Sequence, residues 1–252
     1  MFHRIGDCDN DLDFHARQAF TGFRRSWKSP VKALRILVAI VLLALAGKAS
    51  AQTLTTLHQF SDGPDGRSPT RGLIQGDDGY FYGTTFRGGT NNDGTVFKIN
   101  PAGTLTTLWQ FGGGADGSNP DGGLTKATDG YLYGTTAGGG TNRAGTVFRI
   151  TSAGALTTLY QFDGRADRGT PETLVQGRDG DFYGTSLALF GTVFRINSAG
   201  TLTTLWRFSN GADGGNPEGK LVQKSDGYFY GTTSQGGTNR WAPCSRLVLW
   251  AR

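Results

Sequence analysis

From Gln52 onward, short apolar runs alternate with glycine-rich breaks, and the runs are strand-sized. "YFYGTT" (Tyr80–Thr85), "GTVFKI" (Gly94–Ile99) and "TLTTLWQF" (Thr104–Phe111) are rich in Thr, Val, Phe, Tyr and Leu, the residues that suit a pleated surface. No stretch after Gln52 shows apolar residues at helical spacing with capping residues at its ends. The Asp-Gly pair at Asp78–Gly79 joins "LIQG" to "YFYGTT" as a tight hairpin whose turn needs a positive φ. "PAG" or "SAG" then marks the turn before the last strand.

This pattern recurs. Gly83, Gly134, Gly184 and Gly231 occupy equivalent positions, 51, 50 and 47 residues apart. The last spacing is short because a loop is deleted after Ser186. A half copy, "TLTTLHQF" (Thr53–Phe60), precedes the first full one. Four short strands per copy predict an all-β fold, a β-propeller-like array of four-stranded blades. A β-solenoid would turn every 20–30 residues or so, a shorter unit than this one. The half copy reads as a fourth strand that completes a blade whose other strands lie near the C-terminus.

The repeated unit "DGYFYGTT…GGTN…GTVFKI…GTLTTLWQF" resembles the Gloeo/Verruco (GloVer) tandem repeat of secreted bacterial proteins, from Gln52 to about Asn239. The resemblance implies an extracytoplasmic array, often followed by a sorting or anchoring segment. It carries no catalytic residues to transfer.

Composition adds location. The chain has 252 residues, 41 of them glycine, yet 12% are aromatic, enough for a core. Its net charge of +5 is concentrated at the N-terminus. Residues 1–51 hold eight Lys/Arg and four Asp, so 17 basic and 16 acidic residues remain of the chain's 25 and 20. The repeats are thus nearly neutral and lack the basic stripe of a nucleic-acid binder. Residues 1–51 read as a signal peptide with a long basic n-region. The apolar run Ile36–Ala46 is too short to span a bilayer comfortably, and Ala49-Ser50-Ala51 offers a cleavage site before Gln52. No stable membrane span is expected after cleavage. Cys8 and Cys244 are the only cysteines, so the repeats rely on packing rather than disulfides.

The chain ends irregularly. A glycine belongs at 242, eleven residues after Gly231, but the sequence reads Trp241-Ala242-Pro243-Cys244-Ser245-Arg246-Leu247. The codons for Trp241 and Ala242, read one frame over, force glycine, and the following codons permit Thr-Val-Phe-Lys-Ile. Trp250-Ala251 forces a second glycine nine residues on, the same interval as Gly94 to Gly103. Residues 52–240 therefore read as the repeat domain and 241–252 as a tail in a shifted frame. Such a chain lacks the third strand of its last blade, which leaves an unpaired edge and favours aggregation.

Candidate chemistry is sparse. His58 is the only histidine of the repeats and stands where other copies have Trp109, Tyr160 and Trp206, so it reads as a packing substitute. Asp78, Asp129, Asp179 and Asp226 precede hairpin glycines and read as turn formers. Asp65, Asp116, Asp167 and Asp213 sit in Asp/Asn/Gly loops whose oxygens suit calcium but lack a calcium-loop spacing. Asp121, Glu172 and Glu218 follow prolines and read as loop chemistry. The Gly-Gly-Thr-Asn loops (Gly88–Asn91, Gly139–Asn142, Gly236–Asn239) precede no helix, so they are not phosphate loops. The expectation is a non-catalytic, secreted or cell-surface module with no catalytic, cofactor or metal site. Its partners would be a polysaccharide or a cell-surface protein. The competing class is a carbohydrate-active enzyme on the same scaffold, and a third reading is a truncated fragment without function.

Overall fold

A computed structural model describes residues 54–165 and 169–237. All its strands lie in the second of its two units, Thr56–Arg252. The signal-peptide reading, Asp167 and the tail 241–252 lie outside the described residues.

Three copies form four-stranded antiparallel sheets in simple meander order. Blade one is β1 (Ile74–Gln75), β2 (Phe81–Thr85), β3 (Thr95–Ile99) and β4 (Leu105–Gln110). Blade two is β5 (Leu124–Lys126), β6 (Leu132–Thr136), β7 (Thr146–Ile150) and β8 (Leu156–Gln161). Blade three is β9 (Pro171–Gln176), β10 (Phe182–Ser186), β11 (Thr192–Ile196) and β12 (Leu202–Arg207). Blade four contributes β13 (Gly215–Gln223) and β14 (Phe229–Gln235). The first strand of each blade packs on the first two strands of the blade before it, so the first strands are innermost and the fourth outermost. That is the β-propeller arrangement. Among the described residues no helix is long and apolar enough to cross a membrane.

Each junction between blades uses one residue set. The leading blade supplies a Tyr from its second strand, a Val from its third and a Phe after its fourth. The following blade supplies a Leu, a second-strand Phe or Leu, and a Phe and an Ile from its third strand. Between blades one and two these are Tyr82, Val96 and Phe111 against Leu124, Leu132, Phe148 and Ile150. Between blades two and three they are Tyr133, Val147 and Phe162 against Leu174, Phe182, Phe194 and Ile196. All are 5% exposed or less, and each buried aromatic contributes roughly 1.5–3 kcal/mol. The glycine of each "YGT" makes room for this packing. A Cβ at Gly134 would lie 2.5 Å from the ring of Phe148, and one at Gly184 would lie 2.7 Å from Phe194.

A second junction operates where the third strand begins. Gly94, Gly145 and Gly191 adopt φ of 93°, 94° and 86°, and the prolines Pro120, Pro171 and Pro217 of the next blade close over them. A β-bulge in every complete blade leaves one outer-strand leucine unpaired: Leu108, Leu159 and Leu205. The carbonyls of Leu108 and Leu159 lie against the turn glycines Gly154 and Gly200 of the next blade.

The half copy forms no strand within its described residues, contrary to its reading as a fourth strand. Among the described residues no third strand lies beside it to complete a hydrogen-bond ladder. It nevertheless occupies the outer-strand place. Leu57 lies against Gly103 as Leu108 lies against Gly154. Phe60 meets Phe97 edge-on at 5.2 Å, as Phe111 meets Phe148 at 5.3 Å.

Among the described residues blade four contributes two strands, and the other blades specify what would complete it. In complete blades a hydroxyl from the second strand meets one from the third: Thr85–Thr95 and Thr136–Thr146 at 2.9 Å, Ser186–Thr192 at 2.7 Å. The equivalent Thr233 is 1% exposed, and its hydroxyl has no partner. Its core contains Leu221 and Phe229, with no counterpart of Phe194 and Ile196 among the described residues. A Gly-Thr-Val-Phe-x-Ile strand would supply each missing group.

Candidate functional site

The sharpest gathering of charge lies at the axial end of the innermost strands. The residue before each proline holds a positive φ: Ser68, Asn119, Thr170 and Asn216, at 56°, 56°, 49° and 51°. Proline disfavours helical geometry in the residue before it, so this conformation carries strain. Tertiary hydrogen bonds hold it. The backbone N–H groups of Asn119, Thr170 and Asn216 donate to Asp93, Ala144 and Phe190 of the preceding blade, at 2.7, 2.7 and 2.8 Å. The residue after each proline follows this turn toward the innermost strand.

Asp121, Glu172 and Glu218 occupy that position in three successive blades. Glu172 lies in β9 and Glu218 in β13, so the loop reading of these glutamates is corrected: they belong to innermost strands. Arg71 of blade one reaches into the group. Its Nη2 lies 3.2 Å from Asp121 Oδ2 and 3.1 Å from Glu172 Oε2, and its Nε donates to the Asp121 carbonyl at 2.5 Å. Arg71 and Glu172 are thus joined across 101 residues of sequence.

The carboxyl side chain of Glu172 is only 8% exposed. Burial pushes its pKa up, and the carboxylates of Asp121 and Glu218 add to the shift. The Arg71 guanidinium opposes it. Beneath this group, Thr135 donates its hydroxyl to the Glu172 carbonyl at 2.8 Å. Thr84 and Thr185 hold the same place in blades one and three, 2% exposed and without a partner. A buried hydroxyl, an arginine and several carboxyls can orient a polar ligand by hydrogen bonds. Among the described residues no three His, Cys, Asp or Glu side chains gather closely enough to hold a metal ion.

The other candidates serve the scaffold. Asp78, Asp129 and Asp179 accept the buried hydroxyls of Tyr82, Tyr133 and Tyr183, each at 2.6 Å. They also accept backbone N–H bonds from Tyr80, Tyr131 and Asp181. Burial, then the bond to Asp129, pushes the Tyr133 hydroxyl up to about 12, and Tyr82 and Tyr183 are raised further in the same way. Asp226 binds the Tyr228 N–H at 3.0 Å, and that bond lowers its pKa.

The loop aspartates anchor the outer strands. Trp109 Nε1 donates to Asp116 at 3.2 Å. His58 Nε2 stands 3.1 Å from Asp65 in the same geometry, so His58 takes Trp109's place in bonding as well as in sequence. Burial raises the Asp65 carboxyl, but the Ser61 hydroxyl and N–H and the His58 ring outweigh it and hold the pKa at about 2. Asp213 binds the Ser209 N–H at 3.0 Å.

The Gly-Gly-Thr-Asn loops of blades one and two are pinned. Gln110 accepts the N–H and hydroxyl of Thr90 at 2.7 and 2.6 Å, and Gln161 accepts both from Thr141 at 2.7 Å. The axial gathering escapes sequence reasoning because its members lie about one and two blades apart. The glutamine pin left a visible signal: blade three lacks the loop and carries Arg207 in place of the glutamine.

Residues 47–242 match the Gloeobacter/Verrucomicrobia repeat family, and the chain belongs to that family. No curated protein matches it. Among solved structures it is similar to virginiamycin B lyase from Staphylococcus aureus, at 21% identity and a TM-score of 0.48, covering 65% of this chain and 48% of that one. It is also similar to a gluconolactonase from Xanthomonas campestris, at 17% identity and a TM-score of 0.49, covering 76% and 61%. The chain spans about half the length of the lyase.

Proposed function

We propose that the chain is an exported, non-catalytic repeat scaffold that binds a hydroxyl-rich polysaccharide at the axial end formed by Arg71, Asp121, Glu172 and Glu218. One observation carries this reading: a single guanidinium bridges Asp121 and Glu172. Polysaccharide hydrolysis needs an acid and a second, ionised carboxylate poised across the scissile bond. Here the carboxyls of Asp121 and Glu172 share Arg71 instead, an arrangement suited to holding a ligand. Most repeated acids are committed to turns and tyrosines, which leaves this end as the place for a ligand.

A carbohydrate-active enzyme is the second reading, favoured by the upward shift of Glu172, the kind expected of a general acid. Affinity electrophoresis of the full chain against a panel of soluble polysaccharides separates the two. Binding predicts retardation by at least one polymer, weakened about tenfold by Arg71→Ala, a loss of about 1.4 kcal/mol. Chain cleavage that Glu172→Gln abolishes would establish the enzyme instead. Retardation by no polymer at all would remove the polysaccharide from the proposal.

A further inference from the structure

The hairpins at the far end of the innermost strands are clasped from blade to blade, and one clasp differs. The last residue of the first strand is Gln176 in blade three and Gln223 in blade four, each opposite the phenylalanine that opens the second strand. Gln176 Oε1 accepts the Thr128 N–H of the preceding hairpin at 2.9 Å, and its Nε2 donates to the Gly180 carbonyl of its own hairpin at 3.0 Å. Gln223 accepts the Arg178 N–H at 3.0 Å and donates to the Gly227 carbonyl at 3.2 Å in the same way. Blade two has Lys126 in this place, opposite Leu132. A lysine has donors only, so it cannot accept the N–H of the preceding hairpin. Lys126 pairs instead with the Asp77 carboxylate, whose side chain is 87% exposed.

A cavity opens where the glutamine clasp is replaced. It measures about 170 Å³ and is lined in part by Asp77, Asp78, Tyr82, Lys126, Leu132 and Ser152. A cavity of about 150 Å³ accepts one benzene ring, so this one admits a single six-membered ring. Asp78 accepts the Tyr82 hydroxyl at 2.6 Å and the Tyr80 N–H at 3.2 Å. A carboxylate offers about four lone-pair sites, so Asp78 can accept a ligand hydroxyl as well. The Lys126–Asp77 pair is exposed, and such a pair contributes little against water and lost side-chain freedom. A second ammonium reaches the cavity wall: Lys98 Nζ donates to the Ser152 carbonyl at 3.1 Å and lies 4.9 Å from the centre of the Tyr80 ring. With Asp77 turned to solvent, two ammonium groups face the one carboxylate of Asp78, and the cleft carries a positive charge.

We propose that this cleft, between the hairpin ends of blades one and two, binds the ring of a hexuronate, an acidic sugar. The ligand carboxylate takes Lys126 from Asp77, and the ligand hydroxyls bond Asp78. Charge sets the class. A neutral sugar gives Lys126 no ion pair in return for Asp77, whereas a carboxylate exchanges one pair for another and gains the attraction of Lys98. The cleft is separate from the group around Arg71, because Asp121 precedes β5 and Lys126 ends it. It stands whether or not that group binds a ligand.

Amide NMR titration of the full chain with sodium glucuronate, and separately with glucose, tests this. Glucuronate should shift the Gly130 and Ser152 amides saturably with a Kd of about 1 mM, and glucose should bind about tenfold more weakly or less. Lys126→Gln copies the clasp that Gln176 makes, so it should weaken glucuronate about tenfold without lowering the unfolding midpoint. Absence of shifts at the cleft would overturn the proposal, as would equal affinity for glucose or binding that Lys126→Gln leaves intact. Should that variant fail to fold, Asp77→Asn decides, a change at an exposed side chain. It frees Lys126 in advance, so glucuronate should bind severalfold more tightly. Unchanged or weaker binding would refute the exchange of ion pairs.

Discussion

The bond between Tyr133 and Asp129 can be cut from either end, and the two cuts should cost different amounts. The tyrosine ring has no solvent exposure, and its hydroxyl donates to Asp129 Oδ2 at 2.6 Å. Tyr133→Phe removes the donor. Asp129 is exposed, so it rehydrates and keeps its bond from the Tyr131 N–H. The loss is the net worth of a hydrogen bond to a charged group, about 1.5 kcal/mol. Asp129→Ala instead strands a buried hydroxyl, a desolvation penalty of about 2 kcal/mol. It also removes the turn bond, so its total is about 3 kcal/mol. With a urea m-value of about 2 kcal/mol/M, the midpoints should fall by roughly 0.75 M and 1.5 M. Equal costs, or a larger one for Tyr133→Phe, would refute the reasoning. Alkali gives an independent check. Folding raises the Tyr133 pKa from 10.0 to about 12, so the folded state holds this proton more tightly. Its stabilisation is whole below pH 10 and fades as pH rises toward about 12. Tyr133→Phe should remove that share of the alkaline loss.

Gly145→Ala should cost several kcal/mol in the same urea assay, because its Cβ would lie 2.2 Å from the Thr136 carbonyl oxygen and 2.7 Å from Pro171. Arg71→Ala should push the Glu172 pKa further up, a change read by NMR titration, because it removes the charge that opposes the shift. Gln161→Ala should leave overall stability within about 1 kcal/mol yet speed hydrogen exchange at Thr141, whose N–H loses its acceptor. Sequencing the gene across the codons for Arg240 and Trp241 should reveal a one-base shift, with further repeats in the other frame. Absence of repeats there would make the shifted-frame strand a coincidence.

The blades were legible because each is local. The Asp-Gly hairpin, the "GTVF" strand and the "TLTTL" strand lie within one copy, and their partners are sequence neighbours. The tyrosine role of Asp129 was half legible. Its turn shows in sequence, but the hydroxyl four residues on is apparent only once the strand turns that ring inward. The axial group was not legible. Arg71 and Glu172 meet through the rotation between successive blades, which no local pattern encodes. The half copy was legible by residue type, but hydrogen bonding requires a neighbouring strand, so those residues form no ladder here.

The recurring junction has a genetic corollary. At the junctions between complete blades, one blade offers Tyr, Val and Phe and the next receives them with Leu, Phe and Ile. A unit inserted or lost by recombination between two copies therefore meets its new neighbours through surfaces already matched. Drift at one junction residue, by contrast, disturbs a fit that all copies share. Selection on such a gene would hold the unit constant and leave its number free, so copy number can change faster than the sequence of any copy.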